Sequence, residues 1–275
     1  MIRRILTTFF LTLLFYKAYP QISIDSSYMR TETLDEIVVT GYDTEQKLLE
    51  TPIAISVLPS QEIRAYDETS LVPTMNTLPG VRMEQRAPGS YRIAIRGSAL
   101  RAPFGVRNVK VYWNDIPFTD PSGSTAFNLL DVSNFGTIEV IKGPAGSVYG
   151  AGTGGVVNIR SLPSKSDGSL VELGTTFGSF GLQRHTASVE QFSEQSRWAI
   201  RYAHQQAEGY RDHTAMERDM LELRGEFDIS KQNTLSASFL YSDLFYEIPG
   251  GLTLEQFQEN PRQARPGNRF VMGSE

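Results

Sequence analysis

Residues 150–155 read GAGTGG and have the G-x-G-x-x-G spacing of loops that cradle a dinucleotide pyrophosphate. Glu172 follows at the separation expected of an acidic residue that contacts the ribose. A site of this kind also needs a strand before the first glycine and a helix after the last. Here the sequence GPAGSVY precedes the glycines, and the β-branched run at residues 156–159 predicts a strand after them. We therefore expect no dinucleotide binding at this segment.

The nucleophiles and carboxylates of the chain do not fall into a catalytic spacing. Residues 146–150 read GSVYG, which misses the G-x-S-x-G nucleophile elbow by one position. Asp115, Asp120 and Asp131 are spread over predicted turns, where aspartate commonly serves as a turn or cap residue. The chain has no cysteine, which excludes disulfides, thiolate zinc sites and a cysteine nucleophile. We expect neither an enzyme nor a bound cofactor.

Three histidines, His185, His204 and His213, are the remaining candidates for a metal site. His185 and His204 fall in strand-like runs, and the sequence favours an ordinary surface or lumen position for both. The 26 Lys+Arg and 31 Asp+Glu residues give a formal charge of −5. Such a mildly acidic chain does not suggest a nucleic-acid partner.

The N-terminus has the pattern of an export signal. Arg3 and Arg4 precede an apolar run at residues 5–16, which is too short to span a bilayer as a mature helix. We assign residues 1–20 to a signal peptide, with an apolar first helix of a cytosolic domain as the alternative. No later segment has roughly 18 apolar residues in a row, so a mature membrane protein would have to span as β-strands.

Short strand and helix signals alternate between residues 51 and 161. Ser60 is a predicted helix N-cap, and residues 71–78 predict a second short helix. The strand-like and turn motifs read, in order, TPIAISVL, LPGV, RIAIRG, VKVYWNDIPFTDP and IEVIKGPAGSVYGAGTGGVVNI. In this order, the motifs resemble the plug domain of TonB-dependent outer-membrane receptors.

The resemblance implies an α+β plug domain at residues 51–161, with a mixed four-stranded sheet and short helices. A flexible segment at residues 21–50 precedes it and contains a β-branched strand-like run. The residues of that run that resemble a TonB box are Glu36, Ile37, Val38, Val39 and Thr40. A segment of this type adds as a strand to the sheet of a partner, here periplasmic TonB. An ordinary first strand is the alternative.

After residue 161 the pattern changes to alternating segments of about ten residues, which is typical of transmembrane barrel strands. The predicted strands cover residues 170–178, 184–192, 197–205, 220–227 and 234–241. The resembled family uses about 22 strands, so about five antiparallel strands would be the N-terminal portion of a longer β-barrel, at residues 162–275. A soluble β-sandwich is the alternative.

Three charged residues match plug positions that, in the resembled family, hold the plug to the barrel wall. They are Arg96 in RIAIRG, and Glu139 and Lys142 in IEVIKG. Lys142 stands where the family often has arginine, so a point charge replaces a bidentate fork and the pairing is expected to be looser. We expect the barrel partners on strands absent from this chain, and an exposed polar face of a plug strand is the alternative.

The loop at residues 98–107 is the predicted substrate contact. Its Arg101, Phe104 and Arg107 would suit an anionic iron chelate, by charge and by stacking on a ring. Generic loop packing is the alternative. Vitamin B12, haem and glycans are also taken up through this architecture, and a fold does not settle the substrate.

The resemblance implies an outer-membrane transporter that takes up a scarce substrate, most often a ferric siderophore, with energy supplied through TonB. Its expected partners are TonB, outer-membrane lipid and an extracellular iron chelate. A receptor used for signalling normally carries an extra periplasmic domain before the TonB box. A stand-alone periplasmic plug-like binding protein would leave the strands after residue 161 with nothing to close against. Both stay open as alternatives.

Overall fold

The computed structural model describes residues 38–41, 44–47, 53–98, 105–150, 152, 154–162, 168–267 and 271–274. Several sequence predictions lie outside these residues. They are the signal peptide, Glu36 and Ile37 of the TonB-box segment, and Arg101 and Phe104 of the predicted substrate loop.

The first described element is a short hairpin. Strand β1, Val38–Gly41, pairs antiparallel with β2, Thr44–Lys47. The register joins Gly41 to Thr44, so a two-residue connection closes the hairpin. The predicted strand at the TonB-box segment is therefore present from Val38 onward.

A mixed sheet forms the centre of the plug. Its strand order is β3 (Ile55–Pro59), β10 (Thr137–Lys142), β11 (Gly155–Arg160), β7 (Val109–Trp113) and β8 (Ile116–Pro117). Only the β11–β7 pair is parallel; the other neighbours are antiparallel. The prediction of a mixed sheet is confirmed, and the two-residue strand β8 adds a fifth strand to the four expected. Asn114 and Asp115, both with positive φ, turn the chain back from β7 into β8.

Smaller elements cover this sheet. They are the helices α1 (Ser60–Arg64), α2 (Val72–Met75) and α3 (Gly146–Tyr149), the strand pairs β4–β5 (Val81–Ala87 with Ser90–Ile95) and β6–β9 (Val106–Arg107 with Ser124–Thr125), and the 3-10 turns Phe127–Leu129 and Val132–Asn134. Ser60 does not cap α1 as predicted, because Pro59 occupies the N-cap position and has no side-chain acceptor. In the described ranges, no helix is long and apolar enough to cross a membrane.

The plug encloses its own apolar core. One face of each central strand supplies it, as the alternation of buried Val109, Val111 and Trp113 along β7 shows. Ile63 of α1 and Met75 of α2 close it from the helical side. Among residues after position 162, only Leu240 packs against this core within the described chain. The plug core is therefore built almost entirely from the plug's own residues.

A second, antiparallel sheet follows the plug. Its six strands pair in sequence order: β12 (Gly168–Phe177), β13 (Gln183–Phe192), β14 (Ser196–Ala207), β15 (Met216–Ser230), β16 (Asn233–Glu247) and β17 (Val271–Ser274). The short helix α4 (Leu254–Glu259) lies in the connection between β16 and β17. Residues 193–195 and 231–232 make tight turns at one end, whereas longer loops lie at the other. Short turns at one end and longer loops at the other are typical of outer-membrane barrels, and β15 and β16 are longer than the sequence predicts.

Side-chain alternation gives this sheet two unlike faces. The face toward the plug holds buried charged residues: Arg184, Glu190, Arg201, Arg218 and Glu222. The outward face carries exposed apolar residues: Val171, Leu173, Ile200, Leu223, Phe239 and Tyr241. Leu173 is 83% exposed, which a water-soluble sheet would avoid. An apolar outside and a polar inside are the pattern of a transmembrane barrel wall.

Candidate plug–barrel interface

Asp131 stands at the point where the plug meets the second sheet. It is fully buried and begins the 3-10 turn Val132–Asn134. Its side chain accepts a hydrogen bond from Ser133 N at 2.9 Å, and Asn134 Oδ1 accepts one from Asp131 N at 2.9 Å. The interpretation of Asp131 as a cap residue is confirmed. The sequence did not predict that Asp131 also contacts two strands of the second sheet.

Two arginines of the sheet bind the Asp131 carboxylate. Arg184 Nη2 of β13 lies 2.7 Å from Oδ1, and Arg218 of β15 pairs with Oδ2. Arg218 Nη1 also donates to the carbonyl oxygens of Leu130 at 2.8 Å and Asn128 at 3.1 Å. Burial alone raises the pKa of Asp131, but the Arg218 and Arg184 guanidinium groups outweigh it and hold that pKa well below its usual range. Asp131 therefore stays ionised between two cations.

A second buried group lies beside the first. Asn134 Nδ2 donates to Glu222 Oε2 at 2.8 Å, and Arg201 Nη1 reaches the same oxygen at 3.1 Å. Arg201 Nε also donates to Glu190 Oε1 at 2.7 Å. The first group is Asp131 with Arg184 and Arg218, and the second is Arg201 with Glu190 and Glu222. The two groups thus contain three arginines and three carboxylates. The formal charges cancel, which buried charges require. We call these residues, with Asn134, the interface cluster.

Weaker polar contacts surround the interface cluster. Glu68 lies 3.3 Å from Arg184 Nη1 but is half exposed, so solvent screens this pair. Gln205 Nε2 donates to Thr69 O at 3.3 Å, and Ser242 Oγ donates to Leu129 O at 2.8 Å. The Gln205 and Ser242 bonds both end on backbone carbonyl oxygens of the plug. They therefore position the plug backbone against the sheet without depending on a plug side chain.

The predicted plug–barrel residues lie elsewhere in the plug. Arg96 follows β5 with a positive φ of 49° and is exposed. Lys142 ends β10, and burial together with the nearby Arg96 charge lowers its pKa. Glu139 is buried in the middle of β10, opposite Val57 and Asn158. The structure thus brings Arg96 and Lys142 together, whereas Glu139 points to the other face of the strand from Lys142.

Arg107 is the one predicted substrate-loop residue among those described. It lies in β6, is exposed, and pairs through its backbone with Ser124.

A sequence signal for the interface cluster exists in β15. Its buried positions include the charged Arg218, Glu222 and Arg224, whereas the outward Leu221 and Leu223 between them are apolar. Charged residues on the buried face of an alternating strand indicate a polar partner on that side. The signal identifies the face but not the partner.

Comparison with known proteins agrees with this architecture. Residues 47–157 match the family model of the TonB-dependent Receptor Plug Domain. The chain is 31% identical over 147 residues to the vitamin B12 transporter BtuB of Vibrio vulnificus strain CMCP6, covering 52% of this chain and 23% of that protein. It is 28% identical over 167 residues to BtuB of Photobacterium profundum, covering 60% of this chain and 26% of that protein. The chain thus spans about a quarter of the length of these curated relatives.

Solved structures show the same fold. The pyoverdine receptor FpvA of Pseudomonas aeruginosa, bound to pyoverdine, matches with a TM-score of 0.61 at 20% identity, over 76% of this chain and 30% of that one. The ferric citrate transporter FecA in its unliganded form matches with a TM-score of 0.61 at 19% identity, over 78% of this chain and 34% of that one. Residues 47–157 of the chain are thus a TonB-dependent receptor plug domain, and the described residues share the fold of TonB-dependent outer-membrane receptors.

Proposed function

We propose that this receptor takes up a scarce extracellular substrate across the outer membrane. The plug closes the barrel lumen at rest and moves during transport, and TonB supplies the energy. The observation that carries the proposal is the polar docking of the plug. Its apolar core is built almost entirely from its own residues, and the interface cluster joins it to the sheet. Water entering the lumen can solvate separated charges, whereas it cannot replace lost apolar contacts. Such a plug can move without losing its fold.

For coupling, we propose that Glu36, Ile37, Val38, Val39 and Thr40 form the TonB box. The backbone of β1 already has strand conformation at Val38–Gly41, which supports addition to a partner sheet. Pairing along a strand engages several backbone groups at once and needs no deep pocket. It therefore suits a segment that transmits force.

The experiment that tests the transport proposal is uptake by cells that carry Val39→Pro. Proline removes a backbone donor and should abolish uptake while leaving the receptor in the outer membrane. Val39→Ala keeps the donor and is the matched control, with uptake near that of the wild type. Full uptake by the proline variant, or recovery of the wild-type chain only as a soluble periplasmic species, would overturn the proposal.

For the substrate, we propose an iron complex of the ferric siderophore class. Arg101, Phe104 and Arg107 are the proposed contacts, and the exposure of Arg107 supports its availability to an anionic ligand. A corrinoid is the second candidate, because the curated relatives above are named vitamin B12 transporters.

Binding of radiolabelled ferric chelates, with cobalamin as competitor, separates the two candidates. Arg107→Ala should weaken chelate binding by about 10-fold through loss of one charge-assisted hydrogen bond. Arg82→Ala removes another exposed plug arginine and should leave binding unchanged. Tight cobalamin binding without chelate binding would select the corrinoid.

We also propose that Arg96, Glu139 and Lys142 contact the barrel wall in the whole receptor. The closeness of Arg96 to Lys142 supports a contact with the barrel wall, because an acidic residue there would offset the repulsion between these two neighbouring cations.

A further inference from the structure

A polar row crosses the outward face of the second sheet beyond its apolar part. The register aligns Thr175, His185, His204, Asp219 and Asp243 on five successive strands. The next outward-facing row toward the tight turns is largely apolar and aromatic and includes the pair Leu221 and Tyr241. The polar row therefore lies near the loop end of the apolar surface, and the next outward row toward the loops mixes Glu217 with exposed Phe177 and Phe245.

Three side chains near this row have the geometry of metal ligands. His204 Nδ1 lies 3.0 Å from Asp219 Oδ1 across β14 and β15, and Glu217 is two residues before Asp219 on the same face. One ligand atom from each of the three residues lies within 4.8 Å of the other two. Tyr202 donates its hydroxyl hydrogen to Asp219 Oδ1 at 2.7 Å and so orients that carboxylate.

The charges on this face also favour a cation. Asp219 stands directly opposite Asp243 in the β15–β16 register, and like charges in that position are destabilising. Glu217 adds a third carboxylate. The outward positions of β12 to β16 contain no lysine or arginine. A bound cation would offset the repulsion among these carboxylates.

We propose that His204, Glu217 and Asp219 bind one divalent transition-metal ion, with Zn²⁺ as the best-suited species. One imidazole nitrogen and two carboxylate oxygens form a common zinc donor set, and water completes the coordination. The ion ties β14 to β15 and offsets the repulsion between Asp219 and Asp243. This assignment does not depend on the transported substrate.

The test is titration of Zn²⁺ into tag-free, EDTA-treated receptor in detergent, followed by calorimetry. We expect one Zn²⁺ per chain. His204→Ala and Glu217→Gln should each weaken binding by at least about 100-fold, since even outer-shell partners are worth about 10- to 100-fold. Tyr202→Phe should weaken it by about 10-fold.

His213→Ala is the matched control, because His213 also lies beside a carboxylate, Glu247, at 3.6 Å but without a third ligand nearby in the described chain. It should bind Zn²⁺ like the wild type. Glu217 is exposed, so Glu217→Gln decides the matter if His204→Ala fails to fold. Absence of Zn²⁺ binding by the wild type, or binding that persists in Glu217→Gln, would overturn the proposal. Binding lost on Glu217→Gln but kept in folded His204→Ala would also overturn it.

Discussion

At the scale of single residues, Asp131 shows how one carboxylate serves two structures. It caps its own turn and neutralises Arg184 and Arg218 on two strands of the sheet. Ion pairs of this kind are costly to break from one side only, because the partner charges stay buried. A substitution at Asp131 is therefore expected to perturb plug docking.

Asp131→Asn should destabilise the docked receptor by about 3–5 kcal/mol, since two buried guanidinium groups lose their counterion. Denaturant unfolding of purified receptor measures the effect. Asp120→Asn is the control, because Asp120 bonds within its own turn at Ser122 and Ser124. Its effect should stay within about 0.5 kcal/mol. Equal effects of the two variants would show that the interface cluster does not stabilise docking.

The pH dependence follows from the lowered pKa of Asp131. A carboxylate with a depressed folded-state pKa contributes stability that is complete above its unfolded value of about 4 and declines as pH falls toward the folded value. The stability difference between wild type and Asp131→Asn should thus be constant above about pH 5 and shrink below pH 4. Unfolding at a series of pH values measures it. A difference that grows on acidification would contradict this assignment.

At the scale of elements, the glycine-rich segment between β10 and β11 is shaped by backbone contact. Gly155 has a φ of +136°, and a Cβ at this position would overlap the Ile141 carbonyl oxygen across the strand pair. The glycine that satisfied a dinucleotide motif in the sequence is thus needed for close strand pairing.

Gly155→Ala should cost about 2–4 kcal/mol, because it combines a backbone clash with an unfavourable φ. Gly123→Ala is the matched control, since Gly123 also has a positive φ, of +82°, but open space around the Cβ position. Its cost should be about 1–2 kcal/mol, from φ alone. Thermal or denaturant unfolding of both variants measures the difference, and equal costs would show that the Ile141 contact relaxes freely.

At the scale of the whole molecule, polarity is inverted between the two sheets. The plug sheet buries apolar residues, whereas the second sheet buries charges against the plug and exposes apolar side chains outward. The outward apolar side chains of the second sheet are what a strand wall in contact with lipid requires.

Leu223→Arg should therefore destabilise the receptor folded in a bilayer by about 2–4 kcal/mol, because it places a charge in the middle of the apolar face. Gln206→Arg, on the outward face near the loops, should cost about 0–1 kcal/mol. Folding into lipid vesicles under a urea gradient measures both. A similar small cost for both would mean that the outward face does not contact lipid.

The sequence by itself determined the order of elements, the plug motifs and the alternation of the second sheet. These are local features: glycines where backbones approach, β-branched runs, and a two-residue period. The antiparallel strands after residue 161 follow from the alternation, whereas the mixed sheet was implied by the resemblance of the motifs to the plug domain. The structure adds the short strand β8 and places Pro59, not Ser60, at the N-cap of α1.

Only the tertiary structure decided which charges meet. Asp131 reads as a turn residue, because its two arginine partners lie 53 and 87 positions away. The same holds for His204 and Asp219, which strand register places opposite each other. Period and composition report the face on which a residue lies. Partners across an interface depend on register and docking, which no local pattern encodes.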